Sequence, residues 1–222
     1  MWKVDLHSHT IYSKDCLTRT AKQIEQARQV GLDRIAVTEH NRLDGALAAK
    51  ALDPELVIVG EEIKTTHGEI IAYFVKEEVP AGLSPQETLD RLRDQEAVIS
   101  IPHPLDSLRR SAMGLENVLT IIDQVDALEG LNARCVRPAD NDAAVTLAQK
   151  HGKLLTAGSD AHTPYEVGRC YLTMPPFADR PESFLQALAQ AKLTGQVSPF
   201  WPHFISTYAK WHKRILPVKL SP

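Results

Sequence analysis

The sequence predicts a single α/β domain in which seven strands form a barrel. At 222 residues the chain is long enough for one hydrophobic core and short for two. Short apolar runs rich in β-branched residues alternate with amphipathic stretches, which is typical of repeated βα units and a largely parallel sheet. Hydrophobic residues make up 43% and charged residues 24%, so a disordered, collagen-like or membrane class is excluded.

The strands are predicted at the short apolar runs that are rich in β-branched residues. They occupy residues 3–6, 34–37, 56–59, 69–75, 98–101, 127–131 and 154–157. Helices are predicted between them at residues 20–30, 44–51, 85–95, 116–123, 139–151 and 181–193. The third helix has the clearest start, because Ser84 precedes Pro85 at the first helical position and Glu87 completes a capping box.

The composition changes near residue 198. We therefore expect a catalytic domain over residues 1–197 and an aromatic, basic tail over 198–222 that packs on the same domain. The tail, from Phe200 to Arg214, is compatible with a platform that stacks nucleotide bases or with aromatics packed against the barrel or a second subunit. We favour packing and leave the tail outside the active site.

Charge and cysteine content indicate the setting. The formal net charge is −3, with 25 basic and 28 acidic residues, so no long nucleic-acid track is indicated. The cysteines, Cys16, Cys135 and Cys170, lack C-x-x-C spacing, which favours a reducing cytoplasm over a disulfide framework or a thiolate zinc site. The amino-terminal residues show no export signal and no apolar run could span a bilayer, so we expect a cytoplasmic protein without a membrane partner.

Polar clusters follow directly upon the apolar runs. They read Asp5-Leu6-His7-Ser8-His9-Thr10, Thr38-Glu39-His40-Asn41, Gly60-Glu61-Glu62-Ile63, Pro102-His103-Pro104 and Gly158-Ser159-Asp160-Ala161-His162. Because the carboxyl ends of parallel strands share one face, these clusters should meet in one pocket. Histidine and carboxylate ligands without thiolates favour zinc, manganese or iron, and a carboxylate such as Glu62 can bridge two ions. The sequence therefore predicts a polynuclear metal site.

Four of these motifs resemble the polymerase and histidinol phosphatase (PHP) family of phosphoesterases. They are the first, second, fourth and fifth clusters, and the resemblance covers residues 2 to about 170. It implies a distorted seven-stranded (β/α) barrel, two or three divalent metal ions and activity on phosphate esters. The stretch from Gly68 to Arg110 is similar to compact, stand-alone members that lack a polymerase domain.

The resemblance also implies a ligand set. By their places in the motifs the implied metal ligands are His7, His9, Asp15, His40, Glu62, Glu69, His103, Asp160 and His162. Two positions depart from the family pattern. Glu39 stands where the family has aspartate and is expected to hold His40, and Glu69 or alternatively His67 fills a slot where the family often has histidine.

The predicted reaction is hydrolysis of a phosphate ester by a metal-activated hydroxide. Asp160 or a ligand histidine such as His103 would steer the water, and Arg109, Arg110 or Arg134 would bind the phosphate. Asn132 would orient a ligand or cap a turn.

The leading interpretation of the function is a phosphatase acting on a nucleotide or another small phosphomonoester. The alternatives are an exonuclease on short single-stranded oligonucleotides, a histidinol-phosphate phosphatase, and a non-catalytic metal-binding module.

Overall fold

One continuous sheet of nine strands organises the part of the chain that the computed structural model describes, residues 1–199, 201–216 and 220. In chain order the strands are β1 Trp2–Asp5, β2 Arg34–His40, β3 Val57–Thr65, β4 Gly68–Tyr73, β5 Val98–Ile101, β6 Ala127–Asn132, β7 Leu154–Gly158, β8 Cys170–Met174 and β9 Lys192–Gly195. Their order across the sheet is β7-β6-β5-β4-β3-β2-β1-β8-β9. All seven predicted strands are present, but β3 continues six residues beyond its predicted end to Thr65, and β8 and β9 were not predicted.

The sheet is mixed rather than largely parallel, which corrects the sequence-based expectation. β1, β2 and β3 pair in parallel, as do β5, β6 and β7. β4 is antiparallel to both of its neighbours, and β8 and β9 extend the sheet in antiparallel fashion beyond β1. β3 and β4 form a hairpin with a turn of only two residues, Thr66 and His67, too short for the crossover that parallel pairing requires.

The sheet curls into a nearly closed, distorted α/β barrel, because the chain after β1 bonds to the end of β7. The Leu6 N–H donates to the Ala157 carbonyl at 3.0 Å, and the His9 N–H donates to the Ala161 carbonyl at 2.9 Å. A side chain at Gly158 would not fit this junction, since its Cβ would lie 2.2 Å from the Cβ of His7. The closure brings the first and last polar motifs together.

Seven α-helices occur in the described residues. They are α1 Thr20–Gln29, α2 Asp44–Leu52, α3 Pro85–Asp94, α4 Gly114–Ile121, α5 Pro138–Lys150, α6 Pro181–Leu188 and α7 Pro202–Ile215. The predicted capping box of α3 is confirmed. The predicted helix over 181–193 is too long, since β9 begins at Lys192 and pairs with β8. The tail forms α7, a helix that was not predicted; Phe200 and residues 217–219 and 221–222 lie outside the described residues.

The barrel interior changes from apolar to polar along its strands. Ile58 precedes Glu62 on the same face of β3, and Ala127 precedes Glu129 on β6. β6 belongs to the same apolar cluster as Phe184 of α6, which packs on Phe177 at 5.2 Å between ring centroids. One end of the barrel is therefore filled by hydrophobic side chains, which leaves the other end for polar chemistry.

Candidate metal centre

His7 and His9 form the floor of a polar cluster at that end of the barrel. Both are fully buried, and their Nε2 atoms lie 3.2 Å apart. The Oδ1 atom of Asp160 lies 3.6 Å from His7 Nε2 and 3.3 Å from His9 Nε2. The sheet closure described above places Asp160 here, because its N–H donates to the His7 carbonyl at 2.7 Å.

Glu62, at the carboxyl end of β3, lies between four imidazoles. Its Oε1 is 3.0 Å from His103 Nε2 and 3.5 Å from His7 Nε2. Its Oε2 is 2.8 Å from His40 Nδ1 and 3.4 Å from His9 Nε2. This is the position expected of a carboxylate that bridges two ions.

Asp15 joins the cluster from the loop after β1. Its Oδ2 lies 3.4 Å from His40 Nε2, and its Oδ1 lies 3.4 Å from His162 Nε2. The His162 ring also lies beside that of His9, tilted by 41° with 4.4 Å between ring centroids.

Glu69, rather than His67, lies at the cluster. Its Oε2 is 3.8 Å from His103 Nε2, whereas His67 is exposed and its Nδ1 contacts the Thr66 hydroxyl. The reversed direction of β4 explains this, since the beginning of an antiparallel strand lies beside the end of its parallel neighbour. All nine implied ligands thus lie in one connected group.

The carboxylates of the group attract positive charge. Burial alone would raise the pKa of Asp160, but Arg109 and His7 outweigh it and hold that pKa well below its usual range. Burial would lower the pKa of His7, yet Asp160, Glu129 and Glu62 hold it well above its usual range. Burial, with His40 and His162 nearby, instead lowers the pKa of His9 to about 3. This shift favours the neutral imidazole of His9, the form that binds metal.

The donor atoms fit divalent ions. Bonds of about 2.1 Å in tetrahedral geometry separate neighbouring ligand atoms by ~3.4 Å, close to the distances in this cluster. Within the described residues, carboxylate oxygens of Asp15, Glu62, Glu69 and Asp160 are buried without a hydrogen-bond partner. Burying such oxygens without a partner costs free energy, which a bound cation would offset. The group therefore has the ligand types and the unsatisfied oxygen atoms of a metal site.

Glu129 of β6 supports this cluster and was missed in the sequence. Its Oε1 lies 2.9 Å from His7 Nδ1, and its Oε2 accepts from the His103 N–H at 2.7 Å and from the Asn132 amide at 2.9 Å. Asn132 also donates to Asp160 Oδ2 at 3.3 Å. An acidic residue inside the apolar run of 127–131 was the available signal.

Glu39 does not hold the His40 ring, which corrects the sequence-based expectation. Its carboxylate accepts from the Thr10 N–H at 3.0 Å and from the hydroxyls of Thr10 and Ser13. The Ser13 oxygen in turn lies 3.2 Å from His9 Nδ1. Glu39 therefore acts on His9 through Ser13.

Two residues of the cluster have strained backbones. His103 has a φ of 31° and Asp160 a φ of 51°, in the left-handed region that non-glycine residues rarely adopt. Such conformations persist where the surrounding structure fixes them and are concentrated at functional sites.

A pocket of about 580 Å³ opens above the cluster. Its lining includes the metal-site residues Asp15, His40, Glu69 and His162 and the cations Lys14, Lys64, Arg109, Arg110, Arg134 and Lys210. Arg109 Nη1 lies 2.7 Å from Asp160 Oδ2, and Arg110 is exposed at the rim. Arg134 is buried and donates to His162 Nδ1 at 2.7 Å and to the Ser206 hydroxyl at 2.8 Å.

α7 forms one wall of this pocket, although the tail was expected to lie outside the site. Lys210 Nζ lies 3.2 Å from Asp15 Oδ2. Lys213 Nζ donates to the carbonyls of Ile11 and Ser13, in the loop that carries Asp15. Together with the contact between Ser206 and Arg134, these bonds hold α7 against the cluster of histidines and carboxylates.

No helix among the described residues combines the length and the apolar character needed to cross a membrane.

A family model, related sequences and solved structures among known proteins are similar to this chain. A family model described as PHP-associated matches residues 138–193. Uncharacterized protein MJ0417 of Methanocaldococcus jannaschii is 38% identical over 173 residues, which is 77% of this chain and 69% of that protein. The fold is similar to that of a two-domain protein of Bacteroides vulgatus containing a predicted PHP-like metal-dependent phosphoesterase, with a TM-score of 0.73, 18% identity and coverage of 88% of this chain and 65% of that one. It is also similar to PsfC of Pseudomonas syringae, with a TM-score of 0.68, 17% identity and coverage of 97% and 99%.

Proposed function

Because the chain belongs to the PHP family, we propose that it is a metal-dependent phosphoesterase, and specifically a phosphatase acting on a nucleotide or another small phosphomonoester. The observation that carries this proposal is the pairing of a histidine and carboxylate cluster with a cationic pocket wall. A volume of about 580 Å³ suits a small ligand.

We propose that His7, His9, Asp15, His40, Glu62, Glu69, His103, Asp160 and His162 hold two or three zinc, manganese or iron ions. When bound, such ions would lower the pKa of a water molecule and neutralise phosphoryl oxygens. Arg109, Arg110 and Arg134 bind and orient the anionic ester.

Asp160 would orient the attacking water through Oδ1, because Arg109 and Asn132 hold its Oδ2. His103, held at its backbone N–H by Glu129, would help position the reacting groups.

We also propose that residues 1–197 and 198–222 act as one unit, since α7 lines the pocket.

The cysteines Cys16, Cys135 and Cys170 are free and buried, which supports a reducing, cytoplasmic setting.

A second candidate is an exonuclease on short single-stranded oligonucleotides. Exposed Phe204, Tyr208 and Trp211 on α7 favour it, because aromatic rings bind bases by stacking and Lys210 of the same helix lines the pocket.

The test is phosphate release by protein loaded with manganese or zinc, beside a chelated control. The substrates are nucleoside mono- and bisphosphates, histidinol phosphate and short oligonucleotides. Release from one small phosphate supports the phosphatase, and release from histidinol phosphate alone names that substrate. Cleavage of oligonucleotides alone supports the exonuclease, and silence with every metal leaves a non-catalytic metal-binding module.

In this assay, His103→Ala and Asp160→Asn should lower kcat/KM by roughly 100-fold or more, since losing even a residue that supports a ligand costs about 10- to 100-fold. Asp142→Asn, an exposed change on α5, is the matched control and should keep full activity. Near-normal turnover in both site variants would refute the assignment.

A further inference from the structure

We propose that Lys210 of α7 is a phosphate-binding residue that Asp15 holds until a divalent ion takes this carboxylate. The proposal deepens the proposed function and rests on it. Its starting point is the contact between Lys210 Nζ and Asp15 Oδ2 at 3.2 Å. The same carboxylate lies 3.4 Å from His40 Nε2 and 3.4 Å from His162 Nε2.

The two partners of this contact differ in their freedom to move. The Asp15 side chain is 5% exposed and faces two histidines of the cluster, so it is fixed. The Lys210 side chain is 47% exposed and ends a flexible four-carbon stem. If either group leaves the contact, it is therefore Lys210.

A divalent ion on Asp15 would drive this release. Two like charges a few ångströms apart repel each other, and the repulsion is stronger where burial lowers the local dielectric constant. α7 itself need not move, because Ser206 bonds to Arg134 and Lys213 bonds to the carbonyls of Ile11 and Ser13. The released ammonium stays at the pocket wall, where its donors suit phosphate oxygens.

Arg109 repeats the arrangement from a different element. Its Nη1 lies 2.7 Å from Oδ2 of Asp160, another carboxylate of the cluster, and it lines the same pocket. Two side chains that bind anions thus rest on two metal-site carboxylates, which supports one shared role in binding substrate phosphate.

The test uses the full chain with Lys210→Met and two titrations that need no turnover. Because Lys210 competes for Asp15, manganese should bind the chelator-treated variant about 3- to 10-fold more tightly than the wild type. Inorganic phosphate should bind the manganese-loaded variant about tenfold more weakly. A purely structural role for Lys210 would not produce opposite changes in the two affinities.

Lys14→Met is the matched control. Lys14 lines the same pocket, and the described residues include no ion pair between it and Asp15. If Lys14→Met reproduces both changes, or if Lys210→Met weakens both affinities or alters neither, the proposal is wrong. A wild type that binds manganese and phosphate but hydrolyses no ester would instead refute the proposed function and leave this binding test intact.

Discussion

Two carboxylates outside the ligand set determine which nitrogen each floor histidine presents. His7 Nδ1 lies 2.9 Å from Glu129 Oε1, and because a carboxylate accepts hydrogen bonds, Nδ1 carries the proton of this bond. The Ser13 hydroxyl donates to Glu39, so its oxygen accepts from His9 Nδ1. Both rings therefore direct Nε2 into the cluster, where the raised pKa of His7 means that a metal ion must displace a proton from its ring.

Glu61, next to the cluster residue Glu62, makes the stability of the folded protein depend on pH. Burial, with Glu78 nearby, raises its pKa from 4.5 to about 8, although the Val79 N–H donates to it at 3.1 Å. The folded protein holds this proton more tightly than the unfolded chain. The resulting stabilisation is complete below pH 4.5 and is lost as the pH rises through about 8.

Glu61→Gln stays neutral at every pH and should therefore be more stable than the wild type at pH 8, by about 1–3 kcal/mol, with a smaller difference at pH 5. Urea unfolding at both pH values measures the difference. Glu77→Gln, an exposed neighbour, should show no such trend. An equal Glu61→Gln effect at pH 5 and pH 8 would contradict this account.

The residues that meet in the cluster were predictable at this scale, whereas the residues that support them were not. His7, His9 and Asp160 stand in short motifs that directly follow apolar runs, so local sequence is enough to find them. Glu129 and Glu39 depend on which strands become neighbours, and that information is absent from their local sequence.

At the scale of elements, the hairpin of β3 and β4 shows that hydrophobic periodicity does not determine strand direction. An apolar strand reads the same in either direction, so the reversal of β4 could not be derived from its pattern. The same holds for Lys192 and Leu193, which the sequence placed at the end of a helix, whereas pairing with β8 places them in β9.

Local signals were reliable where the bonds are local, as at the start of α3. Ser84 Oγ accepts from the Glu87 N–H at 3.2 Å, and the Glu87 carboxylate accepts from the Ser84 N–H at 2.9 Å. Ser84→Ala should lower the free energy of unfolding by about 1 kcal/mol, because it leaves helix N–H groups unpaired.

Chemical denaturation checks this, with Ser84→Thr as a control that keeps a capping hydroxyl. Equal losses in both variants would show that the hydroxyl is not the cause. Turnover should not change, since α3 does not line the pocket.

Over the whole molecule, closure of the barrel concentrates negative charge at one end. Asp15, Glu62, Glu69 and Asp160 are all buried in one cluster. Ions that bind only the folded state stabilise it, by about 2.7 kcal/mol at 100 times their Kd. For a chain of this size that corresponds to a rise in Tm of about 5–10 °C.

A thermal scan with and without manganese measures this rise. Asp160→Asn should reduce it, because one carboxylate of the cluster becomes neutral, while Asp142→Asn should keep it. A Tm that manganese does not change in the wild type would mean that the cluster does not bind this ion in its folded form.

The junction between the chain after β1 and the end of β7 also sets an order of events during synthesis. His7 and His9 leave the ribosome early, but Asp160 and His162 follow only after six further strands, β2 to β7, have been made. Contacts so distant in sequence form late in folding. A nascent chain therefore cannot complete the cluster before the barrel closes, and a complete set of the proposed ligands marks a closed barrel.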